Sequence, residues 1–234
     1  FLIISGSAIA QPADTTKAAV SGAVSVTNNG ISLVPTFNLG KPAAVFDLSV
    51  SKKRFSFEPQ FAFSFQEAKP WYFIFWLRYK VIETPKFKLR AGFHPGFVFS
   101  TSNLTNNSVT SEYFTTARYF VGELAPSYAV SNKASIGLYY LQSHGFNSDL
   151  KVLHFVGLNA SFQNIGLGSG YALKAIPQLY YLKMDEKQGT YLTSTVILTR
   201  KNFPLAISSV VNQKIKSEIP SKDFVWNISL LYLF

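Results

Sequence analysis

From about Ile31 onward, apolar and polar residues alternate with a period of two. The alternating segments run to roughly 9 to 13 residues, the length a tilted strand needs to cross a bilayer. Phe55, Phe57, Phe61, Phe63 and Phe65 share one face of such a segment, with Ser56, Glu58, Gln60, Ala62 and Ser64 on the other. Trp71, Phe73, Phe75, Leu77, Tyr79 and Val81 repeat the pattern opposite Arg78 and Lys80. Phe87, Leu89, Ala91, Phe93, Phe97 and Phe99 follow, with Lys88, Arg90 and His94 opposite. At the end of the chain, Phe224, Trp226, Ile228, Leu230, Tyr232 and Phe234 form one apolar face. A soluble sandwich also alternates, but so many large rings on one strand face suit lipid. The pattern predicts strands at 31–39, 43–51, 55–66, 71–82, 86–99, 114–128, 134–144, 151–163, 170–183, 190–200, 203–214 and 222–234. That is an all-β fold, a transmembrane antiparallel up-and-down β-barrel of about 12 strands, an even number as single-chain bacterial barrels have.

The connections supply a second test, because surface loops of such barrels are long and periplasmic turns short. With both ends periplasmic, the long 100–113 segment falls on the surface side, and Lys52-Lys53-Arg54 and Lys201-Asn202 become periplasmic turns. Counting 20–26 as an extra strand would reverse this. Residues 11–30 are therefore expected to lie outside the barrel as a periplasmic or lumen-tucked segment, with the barrel spanning 31–234 and its last strand closing against Ile31 to Leu39. Pro35, Pro59, Pro95, Pro126 and Pro177 fall inside these strands, all on the lipid side, where the missing N–H calls for bulges.

Composition sharpens the picture. The 234 residues are 47% hydrophobic, 16% aromatic and only 15% charged, yet no apolar run is long enough for a spanning helix. A closed barrel is the other structure that satisfies every backbone group in lipid. The absence of Cys excludes disulfides, thiolate metal sites and a lipid-anchored Cys. The net charge of +10 is scattered rather than gathered on one face, which argues against nucleic acid and favours anionic outer-membrane lipid and lipopolysaccharide as neighbours. At the N-terminus, Phe1 to Ile4 leads to Ala8-Ile9-Ala10 and Gln11, a small-x-small site. Residues 1–10 are expected to be a signal-peptide remnant, with Gln11 the mature N-terminus.

Inward faces carry Asp47, Glu58, Arg78, Lys80, Lys88, Arg90, Glu123, Lys174 and Gln178. Tight hairpins would set Glu58 opposite Arg78, Arg78 opposite Arg90, and Asp47 near Glu58. The row Asp47, Glu58, Arg78, Arg90 either braces and plugs the lumen as ion pairs or forms a selectivity ring for an anionic solute. Catalysis has little to build on. Ser143 and His144 are adjacent on one strand and so point to opposite faces, and there is no GxSxG and no paired carboxylate site. His144 and His154 fit an interfacial role near lipid head groups. No enzyme activity, cofactor or metal site is expected. Gly166-Leu167-Gly168-Ser169-Gly170 fits a periplasmic turn rather than a phosphate loop, and Asn103-Leu104-Thr105 a polar surface loop.

The stretches Gly30-Ile31-Ser32-Leu33-Val34-Pro35-Thr36-Phe37, Leu39-Gly40-Lys41-Pro42-Ala43, Phe55-Ser56-Phe57-Glu58-Pro59 and Lys69-Pro70-Trp71 through Tyr79 resemble small outer-membrane barrels of the Bacteroidota. The resemblance covers mainly residues 30–100 and the C-terminus. It implies an exported barrel of undefined role, an accessory to a larger outer-membrane complex. Trp226, Ile228, Leu230, Tyr232 and Phe234 resemble the signal read by the barrel-insertion machinery. The expected function is a structural or accessory outer-membrane barrel with a plugged lumen. The alternatives are a narrow diffusion channel for small anionic solutes and, third, a lipid-modifying enzyme.

Overall fold

A computed structural model of the chain describes residues 17–66, 68–106 and 109–234, with side chains given outside 102–110. The predicted closed antiparallel barrel is present, with neighbours in the order β1-β12-β11-β10-β9-β8-β7-β6-β5-β4-β3-β2. Its strands are β1 Ala19–Thr27, β2 Ala43–Lys52, β3 Phe55–Ser64, β4 Pro70–Glu83, β5 Phe87–Asn106 and β6 Val109–Ala129. The second half comprises β7 Ala134–Gly145, β8 Val152–Gly168, β9 Tyr171–Met184, β10 Lys187–Arg200, β11 Leu205–Ser217 and β12 Phe224–Leu233. The signal-peptide expectation and Gln11 lie outside the described residues.

Alternation gives the wall two chemistries. Along β12, Phe224, Trp226, Ile228, Leu230, Tyr232 and Phe234 stand outward, each about half exposed, while Val225, Asn227 and Leu231 turn in. Outward rings also interlock between strands, as Phe61 does with Phe73 at 5.2 Å and Phe75 at 5.6 Å. Apolar side chains left exposed around the whole wall match a hydrocarbon solvent rather than water.

The first strand is not where the alternation of 31–39 puts it. β1 is Ala19–Thr27, so those residues belong to the wall and not to a segment outside it. β12 closes on β1 through Ala23↔Leu233 to Thr27↔Ser229, not on 31–39. Residues 28–42 fold inward as a loop containing a single 3-10 turn, Pro35–Phe37. Pro35 starts that turn, where its missing N–H costs nothing. Gly40 sits at φ 69°, and Gly30 N donates to Lys41 O at 2.8 Å, which folds the segment back on itself. The alternation of Leu33, Phe37 and Leu39 is therefore inward packing of a loop. One strand replaces another, so the count of twelve survives, and the connections group at the same two ends of the barrel.

Three other boundaries move. Residues 100–113 are no open loop, because β5 and β6 pair from Phe87↔Tyr128 out to Asn106↔Val109. The glycine run belongs mostly to β8, and only Ser169-Gly170 forms the tight turn, with Gly168, Ser169 and Gly170 all at positive φ. Trp71 turns into the lumen rather than out to lipid, because the β3/β4 register shifts at Ala62/Phe63.

Of the five prolines expected in strands, Pro59, Pro95, Pro126 and Pro177 do lie in the wall, and each interrupts pairing on one side only. Pro59 pairs with Phe75 on β4, but the β2/β3 register skips from Asp47↔Gln60 to Val50↔Phe57. Pro95, Pro126 and Pro177 likewise keep Phe120, Leu89 and Ser194. On their other sides the pairing breaks at Ile74↔Gly96, at Leu124↔Tyr140 and at Asn159↔Gln178. An antiparallel residue points its N–H toward one neighbour, so a proline removes a bond from that side alone.

Candidate functional site

The lumen divides into three levels. We call the end carrying the 28–42 loop the loop end, and the opposite end, with the Lys53-Arg54 and Ser169-Gly170 turns, the turn end.

At the loop end the β1/β2 loop packs inside the barrel. Leu33 and Val34, 7% and 6% exposed, pack with Leu153, Phe155, Tyr180, Leu182, Tyr191 and Ile219. Phe155, Tyr180 and Tyr191 form a stack with centroids 4.8 and 5.0 Å apart. The loop is tied as well as packed. Tyr180 OH donates to Leu33 O at 3.1 Å, and Asn212 Nδ2 donates to the Tyr180 hydroxyl at 3.0 Å. Trp71 Nε1 donates to Phe37 O at 2.9 Å. Asn38 Oδ1 accepts from Ser32 N at 2.6 Å, holding the loop's own turn. Gly30 is required at this contact, because a Cβ there would meet the Trp71 ring at 2.9 Å. Below the loop remains a cavity of about 50 Å³ bounded by Phe37, Ile74, His94, Val121 and Phe155. Tyr139 borders both this cavity and the space at the turn end.

The middle level is a buried charge network. Arg78, with a side chain 1% exposed, bonds Glu58 on β3 and Glu123 on β6. Its Nε lies 2.6 Å from Glu123 Oε1 and its Nη2 3.2 Å from Oε2. Tyr139 OH donates to the same carboxylate at 2.6 Å, and Ser56 Oγ to Glu58 Oε1 at 2.7 Å. The guanidinium carbon also sits 4.0 Å over the Trp76 ring, whose other neighbour is His94. To reach β6 from β4, Arg78 must lie across β5, and the residue it crosses is Gly92, paired with Arg78 on one side and Glu123 on the other. A Cβ at Gly92 would come within 2.9 Å of Arg78 Cγ and 3.1 Å of Glu123 Oε1. Gly92 is thus the gap that lets a pair span three strands.

Of the predicted row, Glu58 and Arg78 meet, but diagonally, since Glu58 pairs with Trp76 and Arg78 with Ser56. Asp47 pairs with Gln60 and accepts a hydrogen bond from its amide, not from the row. Arg90 stands opposite Lys80 rather than Arg78 and comes to 3.5 Å from Glu123. The offset is two residues, which preserves the face and changes the partner. The centre of the network is Glu123, which sequence reasoning placed inward but left out of the row. A glycine in an aromatic-rich strand, between His94 and Arg90, was the available signal.

The turn end opens into a vestibule of about 790 Å³ bounded by β4 to β8. Its cations are Lys80, Lys86, Lys88, Arg90 and Lys133, against the single carboxylate Glu83. Glu83 lies 3.0 Å from Lys80.

The histidines do not assemble a nucleophilic centre. Ser143 is buried in the lumen, whereas His144 is outside. His94 and Ser143 both pair with Val121, from opposite sides, so they stand two strand spacings apart, roughly 10 Å. His154 lies outside as well, its Nδ1 3.0 Å from the Tyr140 hydroxyl. Among the described residues no cluster of His, Cys, Asp and Glu could hold a metal ion.

No family model and no curated protein sequence matches the chain. Solved structures do. The KdgM porin matches with 13% identity and a TM-score of 0.55, over 92% of this chain and 99% of its own. The KdgM porin in complex with disordered oligogalacturonate matches with 12% identity and a TM-score of 0.54, over 93% and 99%. An outer-membrane channel from Pseudomonas putida matches with 13% identity and a TM-score of 0.55, over 96% and 100%. At these identities the likeness is one of fold. That fold and the exposed apolar wall together make the chain an integral outer-membrane β-barrel.

Proposed function

We propose that this barrel is closed at rest and serves as a structural or accessory protein of the outer membrane rather than as an open pore. The observation that carries it is the 28–42 loop, which occupies the loop end through Leu33, Val34 and Phe37 and is tied by Tyr180 and Trp71. The Glu58–Arg78–Glu123 network lines the level beneath, along β3 to β6. A buried, fully partnered pair of this kind braces the wall, since a lone charge there would be expensive. By the length rule for connections, the turn end faces the periplasm. Trp226, Ile228, Leu230, Tyr232 and Phe234 would be the face read during insertion, and the sequence resemblance to small Bacteroidota barrels supports an accessory role.

Planar-bilayer recording tests this. The purified chain should show no steady current, and replacing 32–37 with a flexible Gly/Ser stretch should open one. Steady currents from the unaltered chain would sink the closed-barrel reading. A second reading, a narrow channel for anionic solutes opened by withdrawal of the loop, draws support from the basic vestibule. The KdgM likeness is in keeping with it, that porin having been seen with oligogalacturonate. Its signature would be currents only after the loop is displaced, with anions carrying them.

A further inference from the structure

The vestibule at the turn end shares only Arg90 and Tyr139 with the network, and its other residues have no role in the plug or the network. We infer that it is a binding site for a small multivalent anion, one carrying two or more phosphate or carboxylate groups on a polar frame.

The size fits first. About 790 Å³ lies within the range of small-molecule sites, roughly 300–1,000 Å³. The charge is one-sided. Lys80 is matched by Glu83, but Lys86, Lys88 and Lys133 have no carboxylate partner among the described residues. Arg90 is only half satisfied. Glu123 Oε1, 3.5 Å away, already holds Arg78 Nε at 2.6 Å, and Arg90 Nε makes no hydrogen bond.

The positions are built rather than scattered. Lys88 and Arg90 share the inward face of β5, and Lys86 and Lys133 stand on adjacent turns whose backbones are fixed. Ala129 N donates to Lys86 O at 2.7 Å, and Gln163 N to Lys133 O at 2.8 Å. Between the cations lie neutral donors and acceptors, Ser127, Asn159 and Gln163, suited to hydroxyls on the frame. Ammonium groups act as point charges toward phosphate, while Arg90 adds a planar fork suited to carboxylate. Several such contacts on one ligand would be strong at low salt and weaken as salt screens them. That the site is a blind socket, rather than the mouth of a path, rests on the closed-barrel reading above.

Isothermal titration of the purified full chain in detergent tests the site, using fructose 1,6-bisphosphate and citrate as the two anions and sucrose as the neutral control. At least one anion should bind, more weakly in added salt, and which one binds separates phosphate from carboxylate recognition. The double variant Lys88→Gln with Lys133→Gln should weaken binding by about tenfold, the size of two partly screened contacts. Lys214→Gln, whose partner Asp223 lies at the opposite end, should leave it unchanged. The proposal is overturned if neither anion binds at millimolar concentration, if sucrose binds equally well, or if the double variant binds as tightly as the parent. Steady bilayer currents with anion binding intact would overturn closure and leave the site standing. No currents and no binding would do the reverse.

Discussion

Glu123 accepts from Arg78 twice and from Tyr139 once, at a side chain with no exposure. Removing one partner of such a pair strands a charge in a poor solvent. Glu123→Leu should therefore lower stability by roughly 3–5 kcal/mol, and the double variant Glu123→Leu with Arg78→Met should recover much of it. Unfolding in urea, followed by the loss of heat-modifiable gel migration, reads both. Recovery absent from the double variant would show that the pair matters for more than mutual neutralisation. Gly92→Val should cost about 1–3 kcal/mol by crowding Arg78, without removing any charge. Only part of this centre was legible beforehand. The residue types and their inward face follow from period two, which is why Glu58, Arg78 and Arg90 could be named. Partnership depends on register across three strands, and a bulge at Lys80/Ile82 shifts it in a way no alternation records.

At the level of elements, β1 and the following loop exchanged roles. β1 carries Val20, Val24 and Val26 between Ser21, Gly22 and Ser25, a modest pattern beside the Phe-rich strands. Small residues suffice there: Gly22 leaves space for the Phe234 ring, which a Cβ would meet at 2.5 Å. The loop, by contrast, looks like a strand because both a wall and a plug need every second residue apolar. Only Pro35 with Gly30 and Gly40 around it marked the difference. Tyr180→Phe should loosen this element selectively, since it removes the bond to Leu33 O and keeps the aromatic stack. A loss of about 1 kcal/mol is expected, with faster amide exchange at 31–39 and little change in the wall. Uniform acceleration around the barrel would mean that the tie supports the wall instead.

For the molecule as a whole, the two ends differ in charge pattern. The turns at one end carry Lys53, Arg54, Lys86, Lys133 and Lys201, with Glu83 beside Lys80, whereas at the loop end Asp149, Asp185, Glu186, Glu218 and Asp223 alternate with Lys41, Lys69, Lys151, Lys187 and Lys222. Closure leaves no free strand edge, so the intact barrel should run faster on an unheated detergent gel than after boiling. The overall architecture was the most legible feature, because lipid on one side imposes period two on nearly every strand. Assembly has a stricter requirement. A one-residue slip exposes the wrong face to lipid and is rejected by solvent, but a two-residue slip keeps every ring outside. Between Arg78 and Glu123 such a slip would bring Arg90 or His94 in place of Gly92, and a side chain would block the crossing. The missing Cβ at Gly92 thus acts as a proofreading mark, separating the native alignment of β4, β5 and β6 from neighbours that the bilayer itself would accept.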